Sequence, residues 1–482
     1  MEIMHLEMAD FSKKLKKCSG EGLRPVKVAD LQKAGRGKPW SVPYLFNFYG
    51  NNNENCIYLY VELYLSFTAI HISRFGRSGR QMMPLVNMQD MLDHAYHNGY
   101  AVGGFDLVSL DFLEAIMAAG EAQRSPLIIS LAESHFEYYD FELAMAAAEQ
   151  AAKRSSIPVA IHLDHGASFE SAVKAINLGC NGVMVDASHE AFEGNVAMTK
   201  KIVGMAHACG IPVEGELGYV AGVEGEDAEK HPGEVIYTSV EEAKAYVDQT
   251  SVDLLAVSIG TVHGRMQGEP VLDFERLQQI NEALKIPLVI HGGTGLSDEQ
   301  FSKLIENGVA KINYYTALAD AAGKRMRDNV AADDRCGYTG IVNGIQNAMR
   351  AEIERCMVNW GSAGQADAVL AVADAWQPVH HVIIYNVNID DANKVNNMMR
   401  EGERTLSQIP GVRRVITGNA VQKDANYQLC WLIEFVHKNV IGSYREHPDH
   451  VAFADNLFRP IAGDRISIDY SENYYPGYLG SE

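Results

Sequence analysis

The sequence is poor in basic residues, has no paired cysteine motif and has no long uninterrupted apolar run. Its 41 Lys and Arg against 62 Asp and Glu give a formal net charge of −21. Phosphate backbones and anionic membrane surfaces repel a chain this acidic, so we expect neither nucleic acid nor a membrane as a partner. The seven cysteines are odd in number and lack CxxC spacing. This argues against a disulfide framework or a zinc ribbon and indicates reduced thiols in a cytoplasmic protein.

The first 82 residues lack the features of a targeting segment. They carry 12 Lys and Arg but only 7 Asp and Glu, whereas the rest of the chain is strongly acidic. The apolar segment 57–72 is interrupted by Glu62 and is shorter than the ~20 residues of a membrane-spanning helix. It also lies too far into the chain for a signal peptide. We expect residues 1–82 to be a disordered or poorly packed extension, or the product of an upstream start with the functional chain opening near Met82 or Met83.

From Pro84 onward, short apolar runs alternate with helical stretches, which is the pattern of successive βαβ units. The predicted strands are Ala101–Phe105, Leu127–Ile129, Val159–Leu163, Gly182–Val185, Val213–Gly215, Leu254–Val257, Leu288–Ile290 and Ala310–Ile312. The helices predicted between them include Leu110–Gln123, Glu142–Arg154, Glu170–Leu178 and Phe274–Leu284. Eight units indicate an α/β fold, a (β/α)8 TIM barrel over residues 83–360, with a doubly wound open sheet as the competing topology.

A polar residue follows every predicted strand: Asp106, Ser130, Asp164, Asp186, Glu216, Ser258, His291 and Asn313. The active site of a TIM barrel gathers at the C-terminal ends of its strands. An open sheet gives no reason for a polar group at all eight ends, so the pattern favours the barrel.

Three histidines, His165, His263 and His291, lie just beyond apolar runs. Three imidazoles that leave a fourth position open are the ligand set of a catalytic zinc. Asp164 places a carboxyl group beside the first of them, where it can act as acid or base next to a metal that polarises a carbonyl. That combination can make or break a carbon–carbon bond. The alternative for any one of the 17 histidines is a hydrogen-bonded core or surface residue.

The flanking motifs occur in a characteristic order over residues 84–357: GYAVGGFD, VAIHLDHG, GVMVDASH, AGVEGE, DLLAVSIGTVHG, PLVIHGGTGL and GVAKINYYT. Together they resemble the class II, metal-dependent, fructose-bisphosphate and tagatose-bisphosphate aldolases. The resemblance implies that His165, His263 and His291 bind Zn²⁺, and that Glu216 serves an alternative metal position or a structural hydrogen bond. It also implies a phosphorylated sugar as substrate, and in some members a bound K⁺ or Na⁺.

The resemblance assigns proton transfer to two carboxylates. Asp164 matches the residue that exchanges a proton with the aldehyde oxygen, and Glu224 matches a mobile-loop glutamate that removes the carbon-bound proton. A solvated acidic loop is the alternative for Glu224. Phosphate binding falls to glycines, whose backbone N–H groups are accessible, and to hydrogen-bonding side chains. These positions are Gly264, Gly292, Gly293, Thr294, Asn313 and Thr316.

Several positions depart from the family pattern on the sugar-binding side. Ala132 stands where many relatives have serine, Tyr315 replaces an aspartate, Asp106 replaces an asparagine, and Arg265 is a candidate for a second phosphate. We therefore expect a metal-dependent aldolase that reversibly cleaves fructose 1,6-bisphosphate or a related ketose bisphosphate to dihydroxyacetone phosphate and an aldehyde. The alternatives are an aldolase for a non-standard substrate and a binding or regulatory protein on an aldolase scaffold. A Schiff-base mechanism is rejected, because the sixth strand lacks a lysine.

Residues 361–375 are Gly/Ala-rich and are predicted to be a linker, part of which could be helical. Residues 376–482 alternate strands and helices as a small ferredoxin-like α+β domain. His381, the IPGV turn and the element Tyr444–His450 resemble the stress-responsive dimeric α/β-barrel family. Such domains pair across a dimer, so we expect a homodimer or homotetramer. His381, His447 and His450 are candidate functional residues that could act on small carbonyl compounds, although a dimerisation module with structural histidines is preferred.

Overall fold

The structure, a computed structural model, describes residues 44–46, 59–61, 84–218, 220, 222–227, 236–265 and 270–471. The chain divides into two units, residues 1–80 and 81–482. In the first unit, strands β1 (Tyr44–Phe46) and β2 (Leu59–Val61) pair antiparallel. The predicted disorder of residues 1–82 and the start near Met82 or Met83 otherwise lie outside the described residues.

The second unit contains a closed barrel of eight parallel strands. In chain order these are β3 (Val102–Asp106), β4 (Leu127–Ala132), β5 (Val159–Gly166), β6 (Gly182–Val185), β7 (Val213–Leu217), β9 (Leu254–Val257), β11 (Leu288–Ile290) and β12 (Val309–Tyr314). Two short strands, β8 (Gly222–Asp227) and β10 (His263–Arg265), pair with each other outside the barrel. The barrel closes where β12 pairs with β3. The predicted TIM barrel is confirmed, and the open sheet is excluded.

Helices surround the barrel and precede it. They are α1 (Met88–Asn98), α2 (Leu110–Gln123), α3 (Phe141–Lys153), α4 (Phe169–Leu178), α5 (Phe192–Ala208), α6 (Val240–Thr250), α7 (Phe274–Leu284), α8 (Asp298–Glu306), α9 (Thr316–Ala332), α10 (Tyr338–Ile341), α11 (Ile345–Asn359) and α12 (Ala366–Val372). Their ends follow local chemistry. Helix α8, for example, begins with a capping box in which Ser297 and Gln300 satisfy each other's backbone N–H groups. None of the described helices is long and apolar enough to cross a bilayer.

Alternate residues of each barrel strand face the interior or the surrounding helices. At the N-terminal ends of the strands, the interior is apolar, and α1 closes it by burying Met88, Met91 and Leu92. Truncating one of these methionines to alanine would cost about 2–5 kcal/mol of stability. At the other end the interior turns polar, which leaves the strand C-termini for chemistry.

A four-stranded antiparallel sheet forms the C-terminal domain. Its spatial order is β14 (Val412–Asn419), β15 (Leu429–Phe435), β13 (Val379–Val387) and β16 (Ala462–Ser471). Helix α13 (Ala392–Leu406) packs on one face, where Gly402 lets it approach Trp431. The predicted α+β sandwich is confirmed. The segment 440–458 is not one continuous helix, because it is interrupted at Pro448, which cannot donate to the preceding turn. It forms α14 (Val440–Glu446), α15 (Pro448–Phe453) and a π-helical turn (Ala454–Phe458).

The C-terminal domain packs on the C-terminal ends of barrel helices α3, α4 and α5. The Asn177 side chain donates to the carbonyls of Ser407 and Ile409 at 3.3 Å and accepts from the Gly411 N–H at 2.7 Å. Arg413 forms two 2.7 Å bonds to Glu149, and both side chains are largely buried. The segment predicted to link the domains, residues 361–375, contains α12, which buries Ala366 and Val369.

Candidate active site

Three barrel strands carry a pair of polar residues two positions apart, so both members face the barrel interior. The pairs are His162 and Asp164 on β5, Glu214 and Glu216 on β7, and Lys311 and Asn313 on β12. All six side chains are buried. Because these strands end at the same rim, the pairs form one polar layer beneath the three predicted ligand histidines.

His165, His263 and His291 converge above this layer. One nitrogen atom of each lies within 4.8 Å of a nitrogen of the other two. The ring centroids are 5.3 Å apart for His165 and His263, 4.7 Å for His165 and His291, and 5.8 Å for His263 and His291. His165 adopts a left-handed backbone with φ of 45°, an uncommon conformation for a non-glycine residue that turns its ring toward the other two.

One nitrogen of each imidazole is fixed by a protein acceptor. His165 Nδ1 bonds Asp186 at 2.9 Å, His263 Nδ1 bonds the Val220 carbonyl at 3.1 Å, and His291 Nε2 bonds Glu214 at 2.9 Å. The opposite nitrogens, His165 Nε2, His263 Nε2 and His291 Nδ1, are buried without a hydrogen bond from the described residues. Buried polar atoms rarely stay unsatisfied. Acceptors of this kind fix the tautomer of metal-binding histidines, so the three nitrogens fit a metal ion.

Glu216 adds an oxygen to this cluster. Its Oε2 lies 3.2 Å from His291 Nδ1, outside hydrogen-bonding geometry, and is itself buried without a hydrogen bond. A second possible ligand group combines Glu216 with His165 and Asp186. Oxygen and imidazole donors therefore adjoin one another, and a divalent cation fits this set of ligands.

The electrostatics of the three imidazoles differ. Burial lowers the pKa of His263 to about 3, and nearby His165 and His291 contribute in the same direction. Burial also opposes charge on His291, but the neighbouring carboxylates Glu214 and Glu216 raise its pKa to about 9. Burial likewise opposes charge on His165, yet Asp164 and Asp186 raise its pKa well above the usual value. The acidic groups thus favour positive charge at the centre of the cluster, whether a proton or a metal ion carries it.

Asp164 is completely buried and accepts two bonds from the Asn313 amide, at 3.0 and 2.9 Å. Burial alone would raise its pKa, but His165 and Lys311 hold the pKa of this carboxyl well below its usual range. The Asn313 oxygen accepts in turn from Lys311 at 2.7 Å. Asn313, predicted as a phosphate ligand, therefore directs its amide at Asp164.

The predicted phosphate-binding loops have the backbone conformations that glycine permits. Gly264 and Gly292 have φ of 86° and 69°, and a Cβ on Gly292 would lie 2.2 Å from the Val262 carbonyl oxygen. Thr294 lies in the loop after β11 and accepts from the Ala317 N–H at 3.3 Å in the first turn of α9. Gly293 lies between Gly292 and Thr294 in the loop after β11. Thr316 is buried and is the first residue of α9.

Glu224, predicted in a mobile loop, belongs to the short strand β8, whose Gly222 is in register with His263 of β10. The backbone of this segment is therefore attached beside one of the three histidines. The side chain of Glu224 lies outside the part of the chain that the structure describes.

The positions that depart from the family pattern have different surroundings. Ala132 is in register with Asp164 across β4 and β5. Tyr315 packs its ring against His135, with centroids 4.5 Å apart. Arg265, the candidate for a second phosphate, makes an ion pair with Asp320, in which its Nε lies 3.0 and 2.8 Å from the two carboxylate oxygens and a terminal guanidinium nitrogen donates to one of them.

Two of the candidate histidines of the C-terminal domain, His381 and His450, pack around Tyr444, but all three make separate hydrogen bonds. His381 bonds Asp469 at 2.7 Å, His447 Nδ1 accepts from the Asp449 N–H at 3.3 Å as the N-cap of α15, and His450 bonds the Arg445 carbonyl at 3.0 Å. Within the described residues, no group of three possible metal ligands includes any of these histidines. His450 does pack against Tyr444, with ring centroids 4.4 Å apart.

Sequence reasoning missed Glu214, Lys311 and His162. It searched the residues just past each strand, and these three lie inside strands. A signal was available: in VEGEL, VAKINY and VAIHLDHG, polar residues recur two positions apart, which places both on one face of a strand. Two polar residues on one face of a buried strand are costly unless hydrogen bonds or ion pairs satisfy them, so such a pair is a candidate for a site.

A parallel β/α barrel with three braced, converging imidazoles at its strand ends has the architecture of a metal-dependent enzyme. Residues 86–365 match the family model described as "Fructose-bisphosphate aldolase class-II", and residues 379–472 match "Stress Responsive A/B Barrel Domain". The chain belongs to the class-II fructose-bisphosphate aldolase family, a family of lyases, and it carries a C-terminal stress-responsive A/B barrel domain.

Curated relatives support this assignment. The fructose-bisphosphate aldolase of Geobacillus stearothermophilus is 39% identical over 289 residues, which cover 59% of this chain and 99% of that protein. A fructose-bisphosphate aldolase of Staphylococcus aureus (strain N315) is 42% identical over 249 residues, 51% of this chain and 86% of that one. Among solved structures, the YdjI aldolase from Escherichia coli K12 is 32% identical with a TM-score of 0.52, covering 58% of this chain and 99% of that chain.

Proposed function

We propose that the protein is a zinc-dependent aldolase that reversibly cleaves a phosphorylated ketose to dihydroxyacetone phosphate and an aldehyde. The observation that carries the proposal is the set of three buried nitrogens, His165 Nε2, His263 Nε2 and His291 Nδ1, each left without a hydrogen bond while its partner nitrogen is fixed. Three imidazoles are a ligand set that suits Zn²⁺. The ion would supply an electrophile that polarises the substrate carbonyl.

The residues of the chain would then position the substrate and move protons. Asp164, held as a carboxylate and oriented by Asn313, would accept the hydroxyl proton of the ketose as the carbon–carbon bond breaks, and would return it in the reverse direction. Glu224 is proposed to exchange the proton at carbon. The accessible backbone around Gly264, Gly292 and Gly293, with the hydroxyls of Thr294 and Thr316, would bind the phosphate of the triose.

Fructose 1,6-bisphosphate is the first candidate substrate, because the curated relatives are named for it. Ala132 lies beside Asp164 and Tyr315 packs against His135. Both positions depart from the family pattern on the sugar-binding side, so a related ketose bisphosphate is the second candidate. Release of dihydroxyacetone phosphate should be measured for fructose and tagatose 1,6-bisphosphates, after treatment with EDTA and after re-addition of Zn²⁺. We expect cleavage that EDTA abolishes and Zn²⁺ restores.

The same preparation separates the proposal from a binding or regulatory role. Metal content should be measured on purified protein and again after incubation with Zn²⁺ and gel filtration. Stoichiometric Zn²⁺ with cleavage of neither sugar would redirect the search to other phosphorylated ketoses. Folded protein that acquires no divalent ion would contradict the metal-dependent aldolase and favour the scaffold role.

We also propose that the C-terminal domain pairs with a second copy of itself. On the sheet face opposite α13, β16 exposes Ile466, Ile468 and Tyr470 by 42%, 43% and 51%. Val382 and Ile384 of β13 are the partners in register of Ile468 and Ile466. An apolar row of this kind is costly in water. Light scattering should show a homodimer or homotetramer for the wild type and smaller particles for Ile468→Lys, and a monomeric wild type would contradict the pairing.

A further inference from the structure

A single buried ammonium group joins the two halves of the candidate site. Lys311 has no solvent exposure, and its Nζ donates to Glu214 Oε2 at 2.6 Å and to Asn313 Oδ1 at 2.7 Å. Glu214 lies on β7 and Lys311 on β12, so the lysine bridges the barrel interior. A lysine buried this deeply is rare unless its charge is paired and its donors are satisfied.

One contact of Lys311 leads to the metal side of the site. Glu214 accepts from Lys311 with Oε2 and from His291 Nε2 with Oε1, the second bond measuring 2.9 Å. Because the lysine holds this carboxylate in place, the proton of the His291 ring stays on Nε2. The lone pair of His291 Nδ1 is then directed toward His165 and His263.

The other contact leads to the proton-transfer side. An asparagine side chain can be reversed about its last bond, which exchanges its oxygen and nitrogen. Lys311 has three donors and no acceptor, so it pairs only with the Asn313 oxygen. The Asn313 NH₂ group must then point away from the lysine, and it donates to both oxygens of Asp164.

We propose that Lys311 is a positioning residue that sets, at the same time, the tautomer of His291 and the orientation of the Asn313 amide on Asp164. The proposal rests on the proposed metal-dependent function. A lysine that only neutralised the charge of the buried carboxylates would need only to lie close to them. Here Lys311 donates to Glu214 in one half of the site and to Asn313 in the other. Glu214 in turn orients His291, and Asn313 orients Asp164.

The test is Lys311→Met in the full-length protein, with Lys324→Met on the surface as the matched control, since the Lys324 side chain is 73% exposed. The dissociation constants of Zn²⁺ and Co²⁺ are measured by chelator competition on the folded fraction, together with the visible spectrum of the Co²⁺ form, kcat and KM. We expect metal binding about 10- to 100-fold weaker and an altered Co²⁺ spectrum. We also expect kcat to fall about 100-fold while KM changes only a few-fold.

Folded Lys311→Met with the metal affinity, spectrum and kcat of the wild type would overturn the proposal. If wild-type protein binds no metal in the same titration, the proposed function fails instead, so the two failures are distinguishable. If Lys311→Met does not fold, a cycle of Glu214→Gln and Asn313→Ser in protein that keeps Lys311 replaces it. The proposal expects the fold-losses in kcat/KM to be non-additive, and independent losses would contradict it.

Discussion

The barrel and the C-terminal domain each present three candidate histidines, but the surroundings of these histidines differ. In the barrel, His165, His263 and His291 each have one nitrogen fixed and the other buried without a hydrogen bond. In the C-terminal domain, the described bonds of the histidines run to separate partners, and the histidines belong to no common ligand group. Histidine content alone therefore says little, whereas convergence of unsatisfied nitrogens indicates a site.

The strongest test of this comparison removes a barrel imidazole. His291→Ala should lower kcat/KM by about 10³-fold or more. His291 is a proposed metal ligand, and it is also the residue that connects Glu214 to the proposed metal site. Cleavage and bound Zn²⁺ should both be measured. The control is His97→Ala, an exposed residue in the last turn of α1. If His291→Ala keeps its metal and its activity, the convergence of the imidazoles has no catalytic meaning.

A finer test addresses the groups that fix the imidazoles. Asp186→Asn should weaken Zn²⁺ binding about 10- to 100-fold, because the amide can no longer hold His165 with the bond of a carboxylate. Chelator competition measures this directly. Asp469→Asn, which removes the corresponding carboxylate from His381, is the matched variant and should leave Zn²⁺ affinity unchanged. Equal effects of the two variants would erase the distinction between the regions.

The contact between the regions gives a stability prediction. Arg413→Met leaves Glu149 largely buried without its bidentate partner, and it should reduce the free energy of unfolding by about 2–4 kcal/mol. Chemical denaturation followed by tryptophan fluorescence measures this loss. Arg404→Met serves as control, because Arg404 is exposed and pairs with Glu401 within its own helix. A loss no larger than that of the control would show that the ion pair does not hold the domains together.

Acid should weaken the same contact. Burial opposes charge on Glu149, but Arg413 holds the pKa of its carboxyl below the usual value of 4.5. A carboxyl with a lowered folded pKa contributes stability above its unfolded pKa, and this contribution disappears as the pH falls toward the folded value.

A second group adds to the acid sensitivity. Burial lowers the pKa of His437, which is stacked on Trp376, to about 4. Protonation of this histidine in the unfolded chain therefore destabilises the fold between about pH 6.5 and 4. Thermal unfolding from about pH 7 to about pH 3 should show both losses, and Glu149→Gln should show less of the loss that occurs below about pH 4.5.

The smallest expected effect concerns the C-terminal histidines. His381→Ala should change cleavage by the barrel less than about twofold, since it removes a bond to Asp469 that lies outside the barrel. Oligomeric state should be checked on the same sample. A large loss of cleavage without a change of assembly would reverse our view of this domain and assign it a direct part in the reaction.

The sequence predicts the barrel well because each parallel strand is a short apolar run with a polar end. Gly182–Val185, Leu254–Val257 and Leu288–Ile290 agree with the structure at both ends. Strand β5 continues to Gly166 through a left-handed His165, and no pattern of apolar residues indicates that conformation.

The sequence indicates residues at the rim of the candidate site but not the polar layer beneath it. The three histidines could be found because each follows an apolar run. Lys311 and Glu214 could not be paired from sequence, because residues 97 positions apart meet only when the barrel closes. Asn313 shows the same limit: its place at a strand end was visible, whereas the partner of its amide depends on a lysine two residues earlier.

The position of the C-terminal domain has a further consequence. Its described polar contacts with the barrel fall on Asn177 and Glu149, near the C-terminal ends of their helices, and Gly210 faces Asn439 just past the end of α5. In a β/α barrel those helix ends lie opposite the rim where the histidines converge. These contacts hold the attached domain away from that rim, and we expect a sugar to reach the candidate site without passing them. On this arrangement the second domain does not lengthen the diffusion path of the substrate, and its outer surface can change without obstructing the entrance to the barrel.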